Sequence, residues 1–139
     1  VSPYVDFWSV GSNDLTQYLL AVDRNNNRVA GLYDPFHPAV IRVLQHVVQT
    51  ATAHGKSVSI CGELAGDPLG VLILMAMGYR TFSMNLNNIA RIKYVIRRIS
   101  LDDLPPLLET GLQQSNSAAL KELFAGYLTR QGLANLLPH

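Results

Sequence analysis

Cysteine and charge are scarce in this sequence, and each scarcity excludes a class of protein. The single cysteine, Cys61, rules out an internal disulfide framework and gives no sign of secretion. Only 15% of the 139 residues are charged and the formal net charge is +1, so no strong field attracts nucleic acid or an anionic membrane. The longest apolar run, residues 71–77, is far shorter than the roughly 20 residues of a membrane span. We therefore expect a cytoplasmic protein with neither nucleic acid nor membrane as a partner.

The composition also predicts a surface that is partly covered. Apolar residues make up 48% of the chain, whereas charged residues fall well below the share of about 25% that is usual in soluble domains. We expect part of the surface of such a chain to be covered by a partner copy or by further segments of its own polypeptide. The sequence begins at Val1 rather than methionine, which leads us to expect an excerpt of a longer protein. No signal-peptide pattern opens it.

Segments typical of strands alternate with segments typical of helices. The predicted strands are residues 5–10, 57–61 and 81–85. The predicted helices are residues 38–54 and 68–77, one from about residue 89, and two after about residue 101 that are separated near residues 113–117. Pro38 and Pro68 suit the first turn of a helix, Asp67 suits a cap, and Gly55 and Gly78 suit the position after the last turn.

This alternation predicts an α/β fold with parallel strands and right-handed crossovers. Parallel sheets are normally covered on both faces, and three strands alone would leave edges unpaired. We therefore expect part of a larger α/β layer or barrel, or a domain completed by self-association. In such folds ligands bind at the carboxyl ends of the strands.

The carboxyl end of the first predicted strand carries residues 11–14, including Asn13 and Asp14, and that of the second carries residues 61–63, including Cys61 and Glu63. If the strands are parallel neighbours, both groups face the same rim. Glu63 can be a turn residue or a further ligand. Asp14 can be a helix N-cap or a ligand of magnesium, which commonly takes one or two carboxylates and substrate phosphate oxygens. Asn13 can be a turn residue or an amide donor to an anion. Cys61 can be a buried small side chain or a general acid or base.

Arg24 ends the helical pattern that Asp14 begins. It can face solvent and complement the helix dipole, or supply a charged fork to a phosphate or carboxylate. Ten helical residues would span roughly 15 Å, so spacing alone does not return Arg24 to Asp14. The turn at residues 25–27 would have to help.

Several stretches resemble the phosphoenolpyruvate-utilising enzymes, whose catalytic domain is a phosphoenolpyruvate-binding (β/α)8 TIM barrel. They are "GSNDLTQYLLAVDR" (residues 11–24), "CGELAGD" (residues 61–67) and "MGYRTFSMN" (residues 77–85). The last two are similar to enzyme I of the phosphotransferase system rather than to phosphoenolpyruvate synthase or pyruvate phosphate dikinase. "AVDRNNNRVAGLYDPFHPAV" and "IARIKYVIRRI" resemble the nitrogen-related enzyme I paralogue.

The resemblance implies a fold and a set of roles. Residues 1–100 would be the C-terminal part of the barrel, about strands 6 to 8 with their helices, and residues 101–139 a helical tail packing on it. Asn13, Asp14 and Arg24 match residues that bind phosphoenolpyruvate, and Asp14 also matches a Mg2+ ligand. Cys61 matches the proton donor to the enolpyruvate carbon.

The resemblance also implies an activity and partners. Phosphoryl would pass from phosphoenolpyruvate to a histidine of the same protein and on to a histidine phosphocarrier protein, releasing pyruvate, and the protein would be a homodimer. That histidine and further ligands would lie upstream, so we expect the chain by itself to be inactive. The alternatives are a non-catalytic dimerisation or binding module, and a fragment of a related synthase or dikinase.

Overall fold

Strands and helices alternate along the chain as the sequence predicts. The structure, a computed structural model, describes residues 2–114 and 116–137. Its strands are β1 (Phe7–Gly11), β2 (Ser57–Cys61) and β3 (Thr81–Ser83). Its α-helices are α1 (Ser12–Leu20), α2 (Pro38–Ala53), α3 (Glu63–Gly66), α4 (Pro68–Met77), α5 (Leu86–Ile96), α6 (Leu104–Gln113) and α7 (Ser117–Arg130). Short 3-10 turns are Ser2–Tyr4, Ala30–Leu32, Leu101–Asp103 and Ala134–Leu136.

The capping residues of α4 confirm its predicted limits. Pro68 opens the helix, and the Asp67 side chain accepts a 2.8 Å hydrogen bond from the backbone N–H of Gly70. Gly78 ends the helix at φ 115°, a left-handed conformation that favours glycine. The predicted start of α2 at Pro38 is also confirmed.

Several other boundaries differ from the predicted ones, among them those of the first strand, which spans Phe7–Gly11 rather than residues 5–10. The first helix begins at Ser12 with Gly11 at its N-cap, so Asp14 is not the cap. At the third strand, Asn85 was predicted to be its last residue, but its side chain accepts a 3.1 Å bond from Asn87 N–H and caps α5. That helix therefore starts before Ile89, and β3 ends at Ser83.

The three strands form one parallel sheet in the order β1-β2-β3. One face carries apolar side chains that pack on the core, namely Val10, Val58, Ile60 and Phe82. The strand register places Trp8 on the same face. The other face carries mostly small polar side chains, aligned by the strand register: Phe7, Ser9, Gly11, Ser57, Ser59, Cys61, Thr81 and Ser83. No described element covers that second face, on which Phe7 is 64% exposed. A parallel sheet with an open face is unusual, because such sheets are normally covered on both sides.

Helix α4 lies at the centre of the apolar core. Every residue from Pro68 to Met77 except Ala76 is buried, as expected of a helix that is hydrophobic all round. Helices α2, α5, α6 and α7 pack against it, so the longest apolar run of the sequence is a core helix. Among the described helices, none combines the length with the apolar composition that crossing a bilayer requires.

Candidate functional site at the carboxyl edge of the sheet

Two hydrogen bonds join the carboxyl ends of β1 and β2. The hydroxyl of Ser12, which is 1% exposed, donates to the backbone carbonyl of Cys61 over 2.8 Å. The backbone N–H of Glu63 donates to Oδ1 of Asn13 over 3.1 Å. The structure therefore brings Asn13 and Cys61 to one rim of the sheet, where the rule for α/β folds places ligands.

The bond from Glu63 also determines how the Asn13 amide is oriented. A backbone N–H can only donate, so the atom that faces it must be the amide oxygen. Asn13 Nδ2, which has two N–H donors, makes no hydrogen bond with the described residues. This amide nitrogen is a suitable donor to an anion. Asn13 itself lies in the first turn of α1, not in a turn before the helix.

Gly62 allows the two strand ends to approach each other. Its φ is 111°, a region that side chains rarely adopt. A Cβ at this position would clash with Oγ of Ser12 and lie 2.9 Å from Oδ1 of Asn13. Glycine at position 62 is therefore required by both the backbone conformation and the contact.

Asp14 lies in the first turn of α1 with its side chain exposed. Gly11 is the N-cap, and no hydrogen bond or ion pair within residues 2–114 and 116–137 uses the Asp14 carboxylate. The capping role that the sequence allowed is therefore excluded. A carboxylate here is favoured by the helix dipole and is open to a cation.

Arg24 lies at the same rim, although its spacing from Asp14 in the sequence did not predict this. Helix α1 ends at Leu20, and the next residue, Ala21, has a φ of 54° that reverses the chain. The backbone N–H of Arg24 then donates to Oε1 of Gln17 over 3.0 Å. The chain therefore already turns before Arg24, and it turns again within residues 23–29, where the predicted turn at residues 25–27 lies. Nη1 of Arg24 donates to Oε1 of Glu63 over 2.9 Å in an ion pair.

Tyr33 is a member of this cluster that the sequence analysis missed. Its hydroxyl lies 3.5 Å from Oδ1 of Asn13, at the long limit of a hydrogen bond. Partial burial raises the pKa of the Tyr33 hydroxyl, and the negative charge of Glu63 raises this pKa further. Tyr33 lies in "GLYDPFHP", within a stretch that carries the family resemblance, but nothing in its spacing predicts contact with Asn13.

Cys61 opens onto a cleft of about 460 Å³ beside these residues. The lining residues are Asn13, Cys61, Gly62, Glu63, Ser83, Met84, Asn85 and Asn88. The free thiol is half-buried, between Gly11 and Ser83 in the strand register. The cleft is large enough for a small phosphorylated acid, and its walls combine amide, hydroxyl and thiol groups.

The donor set suits a shared magnesium site rather than a complete one. Within the described part of the chain, no group of three or more His, Cys, Asp or Glu side chains could hold a metal ion. Glu63 is paired with Arg24, which leaves Asp14 as the open carboxylate of the rim. Magnesium commonly keeps several waters and takes one or two carboxylates together with substrate phosphate oxygens, so a single ligand from this chain fits.

The fold and the site together define an α/β protein with a polar cleft at the carboxyl edge of a parallel sheet. Residues 1–101 match the family model described as PEP-utilising enzyme, PEP-binding domain. The chain belongs to this family of phosphoenolpyruvate-utilising enzymes.

Curated relatives agree with the family match. Two relatives, from Salmonella typhimurium and Escherichia coli, carry the name phosphoenolpyruvate-dependent phosphotransferase system. Each is 46% identical to this chain over 133 residues, and the match covers 96% of this chain and 18% of the relative. A phosphoenolpyruvate-protein phosphotransferase from Haemophilus influenzae is 43% identical over 129 residues, or 93% of this chain and 22% of that protein. The chain thus spans about a fifth of the length of these relatives.

Proposed function

We propose that this chain is the C-terminal part of the barrel of a phosphoenolpyruvate-protein phosphotransferase. Strands β1 to β3 would be about the sixth to eighth strands of a (β/α)8 barrel formed in part by residues 1–100, and residues 101–139 would be the helical tail. The open sheet face supports this, because the remaining strands of a barrel would enclose the polar face and pair with the outer edges of β1 and β3.

One observation carries the functional proposal: Glu63 bonds to both Asn13 and Arg24 at the rim where β2 ends with Cys61. The Asn13 amide and the Arg24 guanidinium would bind the phosphate and carboxylate of phosphoenolpyruvate. The Cys61 thiol borders the same cleft. An anion-binding rim beside a proton donor suits a reaction that releases an enolate and protonates it.

The chemistry proceeds in two steps. The phosphorus–oxygen bond of phosphoenolpyruvate breaks as phosphoryl passes to a histidine elsewhere in the protein, for later transfer to a phosphocarrier protein. The enolate carbon then takes a proton from the Cys61 thiol to give pyruvate, and the thiolate recovers a proton from water. Asn13 and Arg24 hold the substrate in place for both steps.

Asp14 would contribute one ligand to a magnesium ion shared with residues outside this chain. When bound, the ion would offset negative charge on the phosphate oxygens. The Asp14 carboxylate is exposed on the rim, so it can reach such an ion without breaking a hydrogen bond or ion pair to any residue that the structure describes.

The proposal includes two finer assignments. The protein would belong to the nitrogen-related branch, because residues 21–40 and 89–99 resemble that paralogue more than the sugar-related one. It would be a homodimer, in keeping with the low charge content of 15%, which suits a surface that a partner copy partly covers.

The test is phosphoryl transfer by the full-length protein. Cys61→Ser should nearly abolish pyruvate formation and phosphorylation of the carrier while leaving the dimer intact by light scattering. Ser59→Ala, one step further along the same sheet face, is the matched control and should keep most activity. The 139-residue chain alone should not phosphorylate a carrier. Loss of the dimer with undiminished phosphotransfer would contradict the proposal and favour a dimerisation or binding module.

A further inference from the structure

Glu63 makes contacts with both anion-binding residues of the rim, yet the reaction described above gives it no role. Its backbone N–H donates to Asn13 over 3.1 Å, and its carboxylate accepts from Nη1 of Arg24 over 2.9 Å. Arg24 and Glu63 are 39 positions apart in the sequence, and they are carried by different connections of the sheet.

We propose that Glu63 is a positioning residue that holds the Arg24 guanidinium at the rim, ready to bind the substrate anion. This inference rests on the proposed function, because it assumes that Arg24 binds phosphoenolpyruvate. Glu63 itself touches no reacting atom; it acts through Arg24.

The geometry favours positioning over competition for the same guanidinium. Glu63 accepts from one nitrogen of Arg24, whereas a guanidinium carries five N–H donors. The remaining donors are free to meet an anion while the ion pair persists. A carboxylate that bound both terminal nitrogens would have to be displaced before an anion could bind.

Arg24 needs such an anchor because its connection is exposed. Residues 23–28 are exposed and lie outside any helix or strand, and Gln17 fixes only the backbone of Arg24. Without Glu63, the long Arg24 side chain would sample several rotamers, and substrate binding would have to order it.

The size of the effect follows from the exposure of the pair. The Arg24 and Glu63 side chains are 36% and 70% exposed, so solvent screens their attraction. Exposed ion pairs of this kind correspond to roughly twofold to fivefold in an equilibrium constant. We expect Glu63→Ala to raise the KM for phosphoenolpyruvate by that factor and to leave kcat nearly unchanged.

The experiment is a double-mutant cycle in the full-length protein, with initial rates measured against phosphoenolpyruvate at fixed Mg2+. The variants are Arg24→Ala, Glu63→Ala, Arg24→Ala with Glu63→Ala, and Glu63→Gln. Glu63→Gln keeps an oxygen acceptor for Arg24 and should recover part of the lost affinity. Glu109→Ala, which removes an exposed carboxylate from α6, is the matched control and should behave as the parent protein.

The cycle separates the two proposals. If Arg24→Ala leaves the kinetics for phosphoenolpyruvate unchanged, the role of Arg24 is wrong, and the positioning role of Glu63 is overturned with it. If Arg24→Ala weakens binding but Glu63→Ala does not, only the positioning role is overturned. A lower KM in both Glu63 variants would show that Glu63 competes with the substrate. The proposal is supported if Glu63→Ala raises KM in the parent but not in the Arg24→Ala background.

Discussion

The Ser12 hydroxyl donates a 2.8 Å hydrogen bond to the backbone carbonyl of Cys61. This bond joins the first turn of α1 to the last residue of β2, so it ties the helix that carries Asn13 and Asp14 to the strand that carries the thiol. Ser12 in turn accepts, through its backbone carbonyl, a 2.8 Å bond from the hydroxyl of Thr16. Ser12 and Thr16 are 1% and 0% exposed, so water cannot replace these bonds at little cost.

Ser12→Ala should destabilise the chain without unfolding it. The substitution removes the donor to the Cys61 carbonyl in a buried setting, which costs about 1–3 kcal/mol. Urea denaturation followed by circular dichroism measures the change in the free energy of unfolding. Thr129→Ala is the control, because it removes a hydroxyl that donates to a backbone carbonyl at an exposed position; it should change stability by less than Ser12→Ala. Equal losses for the two variants would contradict the importance assigned to the Ser12 bond.

Gly62→Ala should impair the site more severely than Ser12→Ala. A left-handed φ of 111° is strained for alanine, and the added Cβ would push against Ser12 and Asn13. We expect a stability loss of at least about 2 kcal/mol and a large increase in the KM of the full-length protein for phosphoenolpyruvate. Gly31→Ala is the matched control, since a Cβ there meets nothing within 4 Å. A Gly62→Ala variant with parental stability and kinetics would show that this contact is not needed.

The sequence predicted those parts of the fold that depend on local chemistry. Asp67, Pro68 and Gly78 define α4 because a cap, a fixed φ and a left-handed glycine each act within one turn of the chain. Strand β2 was predicted with its observed limits, since a short run of β-branched and small residues stands between turn signals. The boundary was ambiguous at Asn85, because an asparagine is compatible both with the end of a strand and with the N-cap of a helix.

The contacts of the site depend on the tertiary fold and could not be read from spacing. The Arg24–Glu63 ion pair needs the chain reversal at Ala21, where a residue other than glycine adopts a left-handed φ. Tyr33 approaches Asn13 only because the long connection after α1 folds back over the rim. The family resemblance identified Asn13, Asp14, Arg24 and Cys61 as a group, and the strand pattern placed Glu63 at the same rim. Neither predicted that Glu63 pairs with Arg24 or that Tyr33 approaches Asn13.

Alkaline pH should destabilise the chain through Tyr79. This residue is 0% exposed, and its hydroxyl donates a 2.9 Å bond to the Leu44 carbonyl. Burial raises the pKa of Tyr79 well above its ordinary value, so the folded state keeps a proton that the unfolded chain loses above about pH 10. The stabilising contribution is therefore complete below that pH, and it falls by about 1.4 kcal/mol per pH unit above it.

The variant Tyr79→Phe isolates this effect. It should lower the free energy of unfolding at pH 8 by about 1 kcal/mol, because the bond to Leu44 is lost, and it should flatten the decline between about pH 10 and 11.5. Urea denaturation at a series of pH values measures both quantities. Tyr4→Phe, at a side chain that is 90% exposed, is the control. A decline that is as steep in Tyr79→Phe as in the parent would assign the alkaline sensitivity to other groups.

Asp14→Asn should separate folding from metal-dependent activity. The Asp14 carboxylate is exposed and neither caps α1 nor bonds to any described residue, so its loss removes only a favourable interaction with the helix dipole, worth about 0.3–1 kcal/mol. If Asp14 is a ligand of the shared magnesium ion, the amide should bind Mg2+ much more weakly, because magnesium strongly prefers carboxylate and phosphate oxygens. We expect the full-length variant to need at least about tenfold more Mg2+ for half-maximal activity, a free-energy change of about 1.4 kcal/mol.

The control is Asp102→Asn, which neutralises an exposed carboxylate far along the chain. It should leave both the stability and the Mg2+ requirement unchanged. An Asp14→Asn variant that loses stability by several kcal/mol would instead indicate a structural role, and one with a parental Mg2+ requirement would exclude Asp14 as a ligand.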